Sequence, residues 1–351
     1  MNDLWQDLKR VATQHWSRFK TIGAAPTPRE QAVAAACERV VDQVDPRLRS
    51  LSGYRRTLHD NVAAALDYSA EVASRIPGPI TLNRETWAQD PLLNAMFADP
   101  KRIRWVLSSP SVCAYVRDTD LEAGDCYALL AALPMVRHQL GMELQGDAIH
   151  RDIPQTTWSF VNHEVGLPAG DPDSVRGQAA QAIMDIIAGG AVLEIGGQEA
   201  RIAALEEQLR MTRIKQKVAN PATRGLDFLS DGGASTLPDY ETLGQRIQQL
   251  EQELAAARQG LTTLDDYLLR LNDVLAHPET RVAVQPEQVR LDRMNVVRED
   301  REGAVESTPI EFLRGYRGGQ PARVILLIRF ARADLITADE RLAEVERYVN
   351  A

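Results

Sequence analysis

The feature that most constrains the fold of this chain is an uninterrupted heptad pattern over residues 240–275. With Tyr240 at position a, every a and d position of this segment is apolar. The seam consists of Tyr240, Leu243, Ile247, Leu250, Leu254, Ala257, Leu261, Leu264, Leu268, Leu271 and Leu275. A 3.5-residue period that persists for this length is typical of a coiled-coil helix. Such a helix would be about 54 Å long at 1.5 Å per residue.

A second long helix is predicted immediately before this segment. Residues 173–217 keep a helical period, although polar side chains interrupt their seam at Gln198, Thr212 and Gln216. Residues 220–238 contain two prolines and a Gly-Gly pair, which break the pattern. Two helices joined by one loop most simply fold back on each other. We therefore predict an antiparallel coiled-coil hairpin over residues 173–276, with its loop at residues 220–238.

The first part of the chain, residues 1–79, has the pattern of a helical N-terminal domain. Residues 3–22 form an amphipathic segment that carries aromatic and basic side chains. Thr27-Pro28-Arg29-Glu30 supplies an N-cap, a proline at the first helical position and a capping glutamate. Asp45-Pro46 predicts the start of a further helix, which Pro77-Gly78-Pro79 ends.

Residues 80–172 predict a globular, helical and loop-rich region. Capping side chains precede prolines at Asp90-Pro91, Asp99-Pro100 and Ser109-Pro110. This spacing indicates short helices that turn sharply. Thr119-Asp120-Leu121-Glu122 matches a capping box, so we expect another helix that ends before Pro134. We expect residues 141–170 to be mainly surface loops.

After His277-Pro278 the apolar period falls from 3.5 to about 2, which is typical of strands. Strands are predicted at residues 281–284, 289–297, 310–316 and 323–330. The last of these is apolar on both faces and should be central in its sheet. A closing helix is expected at residues 336–349, which completes a small α+β domain over residues 277–351. The predicted fold class is mainly α, with a helical N-terminal domain, a long antiparallel helical hairpin and a small C-terminal α+β cap with a short antiparallel sheet.

The composition restricts the kind of partner and the compartment. The formal net charge is −9, which argues against a general nucleic-acid-binding surface. The cysteines are scattered without a C-x-x-C pair, as in proteins of a reducing compartment. The first residues lack the basic and apolar regions of a signal peptide. Residues 179–195 are apolar, but their charges and length argue against a spanning helix. We expect a cytoplasmic protein.

Three of the histidines lie close together in the sequence, at His138, His150 and His163. Carboxylates are interspersed among them at Glu143, Asp147, Asp152 and Glu164. Imidazole and carboxylate groups are the usual ligands of catalytic zinc and non-haem iron. No pair has the H-E-x-x-H spacing or another recognised ligand spacing. The favoured interpretation is a set of surface and capping groups, and a metal-dependent enzyme or ligand-binding domain in residues 80–170 is the alternative.

Other candidate chemistry has simpler structural explanations. Cys113 and Cys126 lie in apolar stretches, which favours buried, inert thiols over a nucleophile paired with His138. Two glycine pairs, Gly189-Gly190 and Gly196-Gly197, interrupt a predicted helix. They predict a bend or close helix packing, with Ile186, Ile187, Val192, Leu193 and Ile195 buried around it. A basic cluster at Arg47, Arg49, Arg55 and Arg56 is expected to be a solvated face with acidic neighbours.

The sequence thus favours a non-enzymatic scaffold or assembly protein that acts through its coiled-coil hairpin. The expected partner is a second copy of the chain or another helical protein, without a cofactor or nucleic acid. An apolar seam stronger than its interrupted partner helix requires supports this hypothesis. A third possibility is a peripheral membrane protein that binds through residues 3–22, because amphipathic helices with aromatic and basic residues bind membrane surfaces.

Overall fold

The computed structural model describes residues 27–119, 124–145, 148–219, 240–298, 307–336 and residue 340. Contacts divide the chain into two compact units. Unit 1 contains the described residues of Met1–Ala63 and Ile202–Asn272, and unit 2 contains those of Ala64–Arg201 and Asp273–Ala351. Each unit is therefore assembled from two separate stretches of sequence. The predictions for residues 3–22, for the loop at 220–238 and for most of the closing helix lie outside the described residues.

Several helices of the described residues begin at the predicted capping signals, but the helix predicted from Asp45-Pro46 does not, because Pro46–Ser50 is a 3-10 helix and the α-helix begins at Tyr54. The α-helices of the described residues are α1 (Pro28–Val44), α2 (Tyr54–Ser74), α3 (Arg84–Gln89), α4 (Pro91–Met96), α5 (Lys101–Leu107), α6 (Pro110–Asp118), α7 (Pro172–Ala219), α8 (Tyr240–Arg258) and α9 (Leu264–Ala276). At α1, the Glu30 backbone N–H donates to Thr27 Oγ1 at 3.2 Å, and the Thr27 N–H donates to the Glu30 carboxylate at 2.7 Å. The side chains of Asp90 and Ser109 accept first-turn N–H groups of α4 and α6. The predicted short helices are confirmed.

A sheet of six strands forms the centre of unit 2 in the described residues. The strands are β1 (Ile80–Thr81), β2 (Asp125–Gln145), β3 (Ala148–Ala169), β4 (Val282–Leu291), β5 (Thr308–Arg317) and β6 (Arg323–Ala331). The order is β3-β2-β6-β5-β4, with antiparallel neighbours, and β1 pairs in parallel with β6. The Trp158 N–H donates to the Asn295 carbonyl at 2.9 Å. The segment after β4 therefore reaches β3, and the sheet is curled.

The short helices α4, α5 and α6 pack against this sheet. One hydrophobic cluster combines their buried side chains with those of the strands. Its members include Leu93, Met96, Phe97, Ile103, Leu107, Val112, Leu130, Phe160, Leu326 and Phe330. The sheet thus provides the main apolar core of unit 2.

The prediction of a mainly α protein with a short C-terminal sheet is wrong. β2 occupies the residues for which the Thr119 capping box predicted a helix. Its inner end, Asp125–Ala132, lies between β3 and β6. A strand between two others can be apolar at successive residues, and here the sequence Ala-Leu-Leu-Ala-Ala-Leu also has high helix propensity. Tertiary pairing overrides that propensity.

β3 replaces most of the loops predicted for residues 141–170, which is a second correction. The register between β2 and β3 shifts at three places, and at each place β3 contains one extra residue. A residue with positive φ lies at each of these bulges, namely Asp152, Asn162 and Leu167. Every bulge reverses which residues face the core. An alternating apolar pattern therefore does not persist along β3, and the strand could not be recognised from its period.

The C-terminal strands differ in extent from the prediction. Residues 281–284 and 289–297 were expected to form two strands, but β4 continues from Val282 to Leu291 through Pro286. A proline is tolerated here because β4 lies at the end of the strand order. The prediction that the last strand is central is confirmed, since β6 lies between β2 and β5.

The predicted continuous helix over residues 240–275 is two helices, α8 and α9. Gly260 has a φ of +76°, a conformation that side chains disfavour and that ends helices. Thr263 then caps α9. The Asp266 N–H donates to Thr263 Oγ1 at 3.3 Å, and the Thr263 N–H donates to the Asp266 carboxylate at 2.8 Å. The heptad pattern continues through the turn, because Leu261 is also buried there.

The predicted hairpin over residues 173–276 is wrong in its extent. Within unit 1, residues 202–219 of α7 lie antiparallel to α8. Residues 172–201 of the same helix belong to unit 2. Along that part, one face of α7 is buried. The buried residues are Val175, Ala179, Ile183, Met184, Ile187, Ala188, Ala191 and Ile195.

The glycines of α7 are only partly explained by close packing. A Cβ at Gly190 would lie 2.9 Å from Cδ of Arg281, which also forms an ion pair with Glu194. Among the residues that the structure describes, no atom outside the local helix lies within 4 Å of a Cβ placed at Gly196 or Gly197. The predicted burial is correct for Ile187 and Ile195 and wrong for Val192 and Leu193, which are exposed.

Helix α7 is long and apolar enough to cross a membrane by length and composition. It contains an 18-residue window with a mean hydropathy of 1.4, of which 39% is buried. The helix is therefore a weak candidate for a spanning segment, and the interpretation that residues 179–195 do not span a membrane stays a prediction. The core helix of a soluble protein passes the same test.

Candidate interaction surface on the helix pair of unit 1

Most of the predicted interaction seam is buried inside the protein. Tyr240 is 40% exposed, and the other seam residues are buried or partly buried. The buried members are Leu243, Leu250, Leu254, Leu261, Leu268, Leu271 and Leu275. Leu250 and Leu254 pack against Leu205 and Leu209 of α7 in one hydrophobic cluster. Along α8, the seam therefore already has a partner helix in the same chain.

Two ion pairs fix the antiparallel alignment of this helix pair. Arg213 Nη2 lies 2.6 Å from a Glu251 oxygen, and Arg258 Nη2 lies 2.5 Å from a Glu206 oxygen. All four side chains are about half exposed, and exposed pairs of this kind contribute no more than about 1 kcal/mol each. The apolar cluster between the helices must therefore supply most of the stability of the pair.

The outer face of α7 carries a second set of apolar side chains. Met211, Ile214 and Val218 are 47%, 48% and 60% exposed. Residues spaced by three and four lie along one face of a helix, and the exposed Ala204 lies on the same face two turns before Met211, with Glu207 between them. The face is centred roughly 160° around the helix from the residues that contact α8, at 3.6 residues per turn. We call Ala204, Met211, Ile214 and Val218 the outer stripe.

A groove of about 630 Å³ adjoins the outer stripe along one side. Its apolar floor consists of Leu209, Ile214, Leu254 and Ala255. Its rim is charged and consists of Glu206, Arg210, Arg213, Lys217, Glu251 and Arg258. Ile214 belongs to both the groove and the outer stripe. An apolar floor with a charged rim is the usual form of a surface that binds a helix.

The charges of α7 are separated along the helix next to this stripe. Acidic residues come first, at Glu206 and Glu207, and basic residues follow at Arg210, Arg213, Lys215 and Lys217. Hydrogen bonding to Arg210 lowers the pKa of the Glu207 carboxyl, and the two groups lie 2.8 Å apart. The surface therefore has an acidic end and a basic end.

The structure does not bring the three candidate metal-binding histidines together. His138 lies opposite Thr156 in the β2–β3 pair, and His150 lies opposite Glu143. The two imidazoles are thus about 17 Å apart along the strands. His163 lies toward the opposite end of the pair, and its Nε2–H donates a hydrogen bond to the Met96 carbonyl oxygen at 3.0 Å. In the described parts of the chain, no three His, Cys, Asp or Glu side chains are grouped to hold a metal.

The cysteines and the basic cluster have structural roles. Burial raises the pKa of Cys37 and of Cys126 to about 11, so both thiols are protonated and unreactive near neutral pH. Glu38 accepts hydrogen bonds from Tyr54 Oη at 2.6 Å, from Arg55 at 2.7 Å and from Arg49 at 3.0 Å. The first of these contributes most to lowering the pKa of the Glu38 carboxyl. The predicted acidic neighbours of the basic cluster are confirmed for these arginines.

Unit 2 contains a polar cleft of about 560 Å³ between the α3–α4 corner and the turn after β4. Its carboxylates already have partners. Asp90 caps α4, and Asp292 accepts from Arg298 at 2.9 Å and from the Met294 N–H at 2.8 Å. These bonds account for the carboxylates as parts of turns, and the cleft offers no evident catalytic group.

Comparison with known proteins adds no functional information, since no family model, curated protein or solved structure matches this chain. The candidate site therefore rests on the outer stripe alone. Sequence reasoning missed it because attention to the a and d positions passes over Met211, Ile214 and Val218. A search for a second apolar period along residues 204–218 would have found these residues.

Proposed function

We propose that this protein is a non-enzymatic scaffold or assembly protein that binds a helix of its partner on the outer face of α7. The observation that carries the proposal is the exposed outer stripe. A surface helix ordinarily has one apolar face directed at its own core. Residues 202–219 of α7 have that face against α8 and a second apolar face on the other side. A second apolar face is what an amphipathic partner helix covers.

The energetics require that the partner also occupies the groove. Full burial of a Met, Ile or Val side chain contributes about 1.5–3 kcal/mol, and these three are already about half buried. The outer stripe therefore supplies only a few kcal/mol from this chain, which is comparable to the cost of association. Contacts with Leu254 and Ala255 in the groove, and ion pairs at its rim, would supply the remainder.

The distribution of titratable groups supports a non-enzymatic role. Among the described residues, the largest pKa shifts are those of Cys37 and Cys126, and burial in the core is the main cause of both. An active site would instead combine shifted groups with an accessible cleft. The carboxylates that line the two clefts described above form ion pairs with arginines or accept hydrogen bonds within turns and helix caps.

Chemical cross-linking tests this function directly, because the chain contains only five lysines and two of them flank the outer stripe. A lysine-reactive cross-linker applied to the cells that produce the protein should join Lys215 or Lys217 to a different polypeptide chain. A Met211→Asp/Ile214→Asp variant should lose these links. Leu269→Asp is the matched control, since Leu269 is an exposed leucine on α9. Links that persist in the double variant, or that occur only within one chain, would refute the proposal.

A further inference from the structure

We propose that the partner on the outer stripe is a second copy of this chain, with its α7 antiparallel to the first. This inference rests on the proposed function, because it names the partner of the same face. It differs from the homodimer expected from the sequence, in which the a and d seam would form the interface. Along α8 that seam packs against α7 in unit 1, whereas the outer stripe is exposed.

Charge complementarity favours a second copy over an unrelated helix. An antiparallel copy of α7 places the acidic end of each helix, at Glu206 and Glu207, beside the basic end of the other, at Lys215 and Lys217. A parallel copy would place like charges together. The screening length is about 8 Å at physiological ionic strength. The stability of a dimer whose helix ends are in contact would therefore depend on the signs of these charges. The segment is therefore complementary to itself in one orientation.

The shape of the outer stripe is consistent with the same two-fold arrangement. Met211 lies midway between Ala204 and Val218, which are about 21 Å apart along the helix. A two-fold axis near Met211 would place the small Ala204 of one copy opposite the larger Val218 of the other. Self-complementary patches of this kind form closed dimers. Both copies would contribute the same residues.

One pair of charges defines the geometry. At 100° per residue, Glu207 lies within the outer stripe between Met211 and Ile214, and Lys217 lies further round the helix on the Ile214 side. In an antiparallel pair with a two-fold axis, residues on the same side of the two helices face each other. Glu207 of one copy would therefore lie beside Lys217 of the other, and the symmetry would create this pair twice.

Charge reversal at these two positions tests the inference. Glu207→Lys and Lys217→Glu should each remain monomeric at about 50 µM, at which the wild type should be a dimer, because each reversal opposes like charges twice. An equimolar mixture of the two variants should restore the dimer, because both pairs in the mixed dimer are then opposite in sign. Sedimentation velocity measures the species present. Far-UV circular dichroism should show an unchanged fold, since the Glu207 side chain is 54% exposed.

Glu253→Lys on α8 is the matched control, and it should dimerise as the wild type does because this residue is outside the outer stripe. A mixture that remains monomeric, or single variants that dimerise normally, would overturn the inference. A wild-type monomer whose Lys215 or Lys217 still cross-links to a different protein would overturn it while the proposed function survives. A wild-type monomer without any such links would overturn both, and would indicate that the chain's own residues cover the outer stripe.

Discussion

His163 shows how a candidate functional residue becomes a structural one once its neighbours are known. Its ring stacks on Phe97 with the centroids 4.5 Å apart. Its Nε2 lies 3.0 Å from the Met96 carbonyl oxygen, to which it donates a hydrogen bond. Burial lowers the pKa of His163, so the fold favours the neutral ring. The sequence identified a histidine among carboxylates, but it could not show the distant helix α4 that holds the ring.

The depressed pKa of His163 predicts a loss of stability in mild acid. Between the lowered folded pKa and the ordinary value of 6.5, the unfolded chain binds more protons than the folded chain. The contribution of the neutral His163 ring to the free energy of unfolding is therefore complete above pH 6.5, and it decreases as the pH falls through this window. The free energy of unfolding in urea should fall less between pH 7.5 and pH 5.5 in His163→Gln than in the wild type. The exposed His150→Gln variant should retain the wild-type slope, and equal slopes in all three proteins would contradict this account.

At the scale of elements, local signals identified the starts of several helices but not the long strands. Thr27, Asp90 and Ser109 cap their helices through bonds to residues two or three positions away, so the sequence alone identified them. β2 depends on β6, where Asp125 pairs with Ala331. The periodicity of the residues within β2 gives no information about this distant partner strand. The bulges of β3 removed the remaining signal.

The break between α8 and α9 can be tested with one glycine. Gly260→Ala should reduce the free energy of unfolding by about 1 kcal/mol, because alanine disfavours the positive φ at this position. In a continuous helix the same change would raise it by about 1 kcal/mol. Gly244→Ala, inside α8, is the matched control and should stabilise. Urea denaturation measures the change in unfolding free energy for both variants. An increase in the unfolding free energy of Gly260→Ala would contradict the observed break.

At the scale of the whole molecule, the heptad pattern predicts an apolar seam over residues 240–275, and most of that seam is buried within the chain. Burial within the protein explains why most a and d positions of residues 240–275 are leucines. The exposed apolar residues Met211, Ile214 and Val218 lie on α7, whose own seam is interrupted by polar residues. Whether an apolar helix face is a core or an interface depends on which helix of the same chain covers it, and periodicity does not contain that information. The same is true of the curled sheet, which joins residues 80–169 to residues 282–331.

The two faces of the helix pair should respond differently to substitution. Leu250 is fully buried between α7 and α8, so Leu250→Ala should cost about 2–5 kcal/mol of unfolding free energy. Met211→Asp, on the outer stripe, should change the stability of the dilute monomer by less than about 1 kcal/mol. Thermal and urea denaturation at low protein concentration separate these effects. Comparable losses in both variants would show that the outer stripe is part of the core.

Thiol labelling in intact cells tests most directly the central claim that the outer face of α7 is covered by a partner. Met211→Cys and Leu269→Cys would be introduced into a Cys113→Ser background, in which the remaining Cys37 and Cys126 are buried. Both engineered thiols should react readily with a maleimide in the purified, highly diluted protein. In the cell, the account predicts that position 211 is protected and position 269 reacts. Equal labelling of the two positions in the cell would contradict the claim.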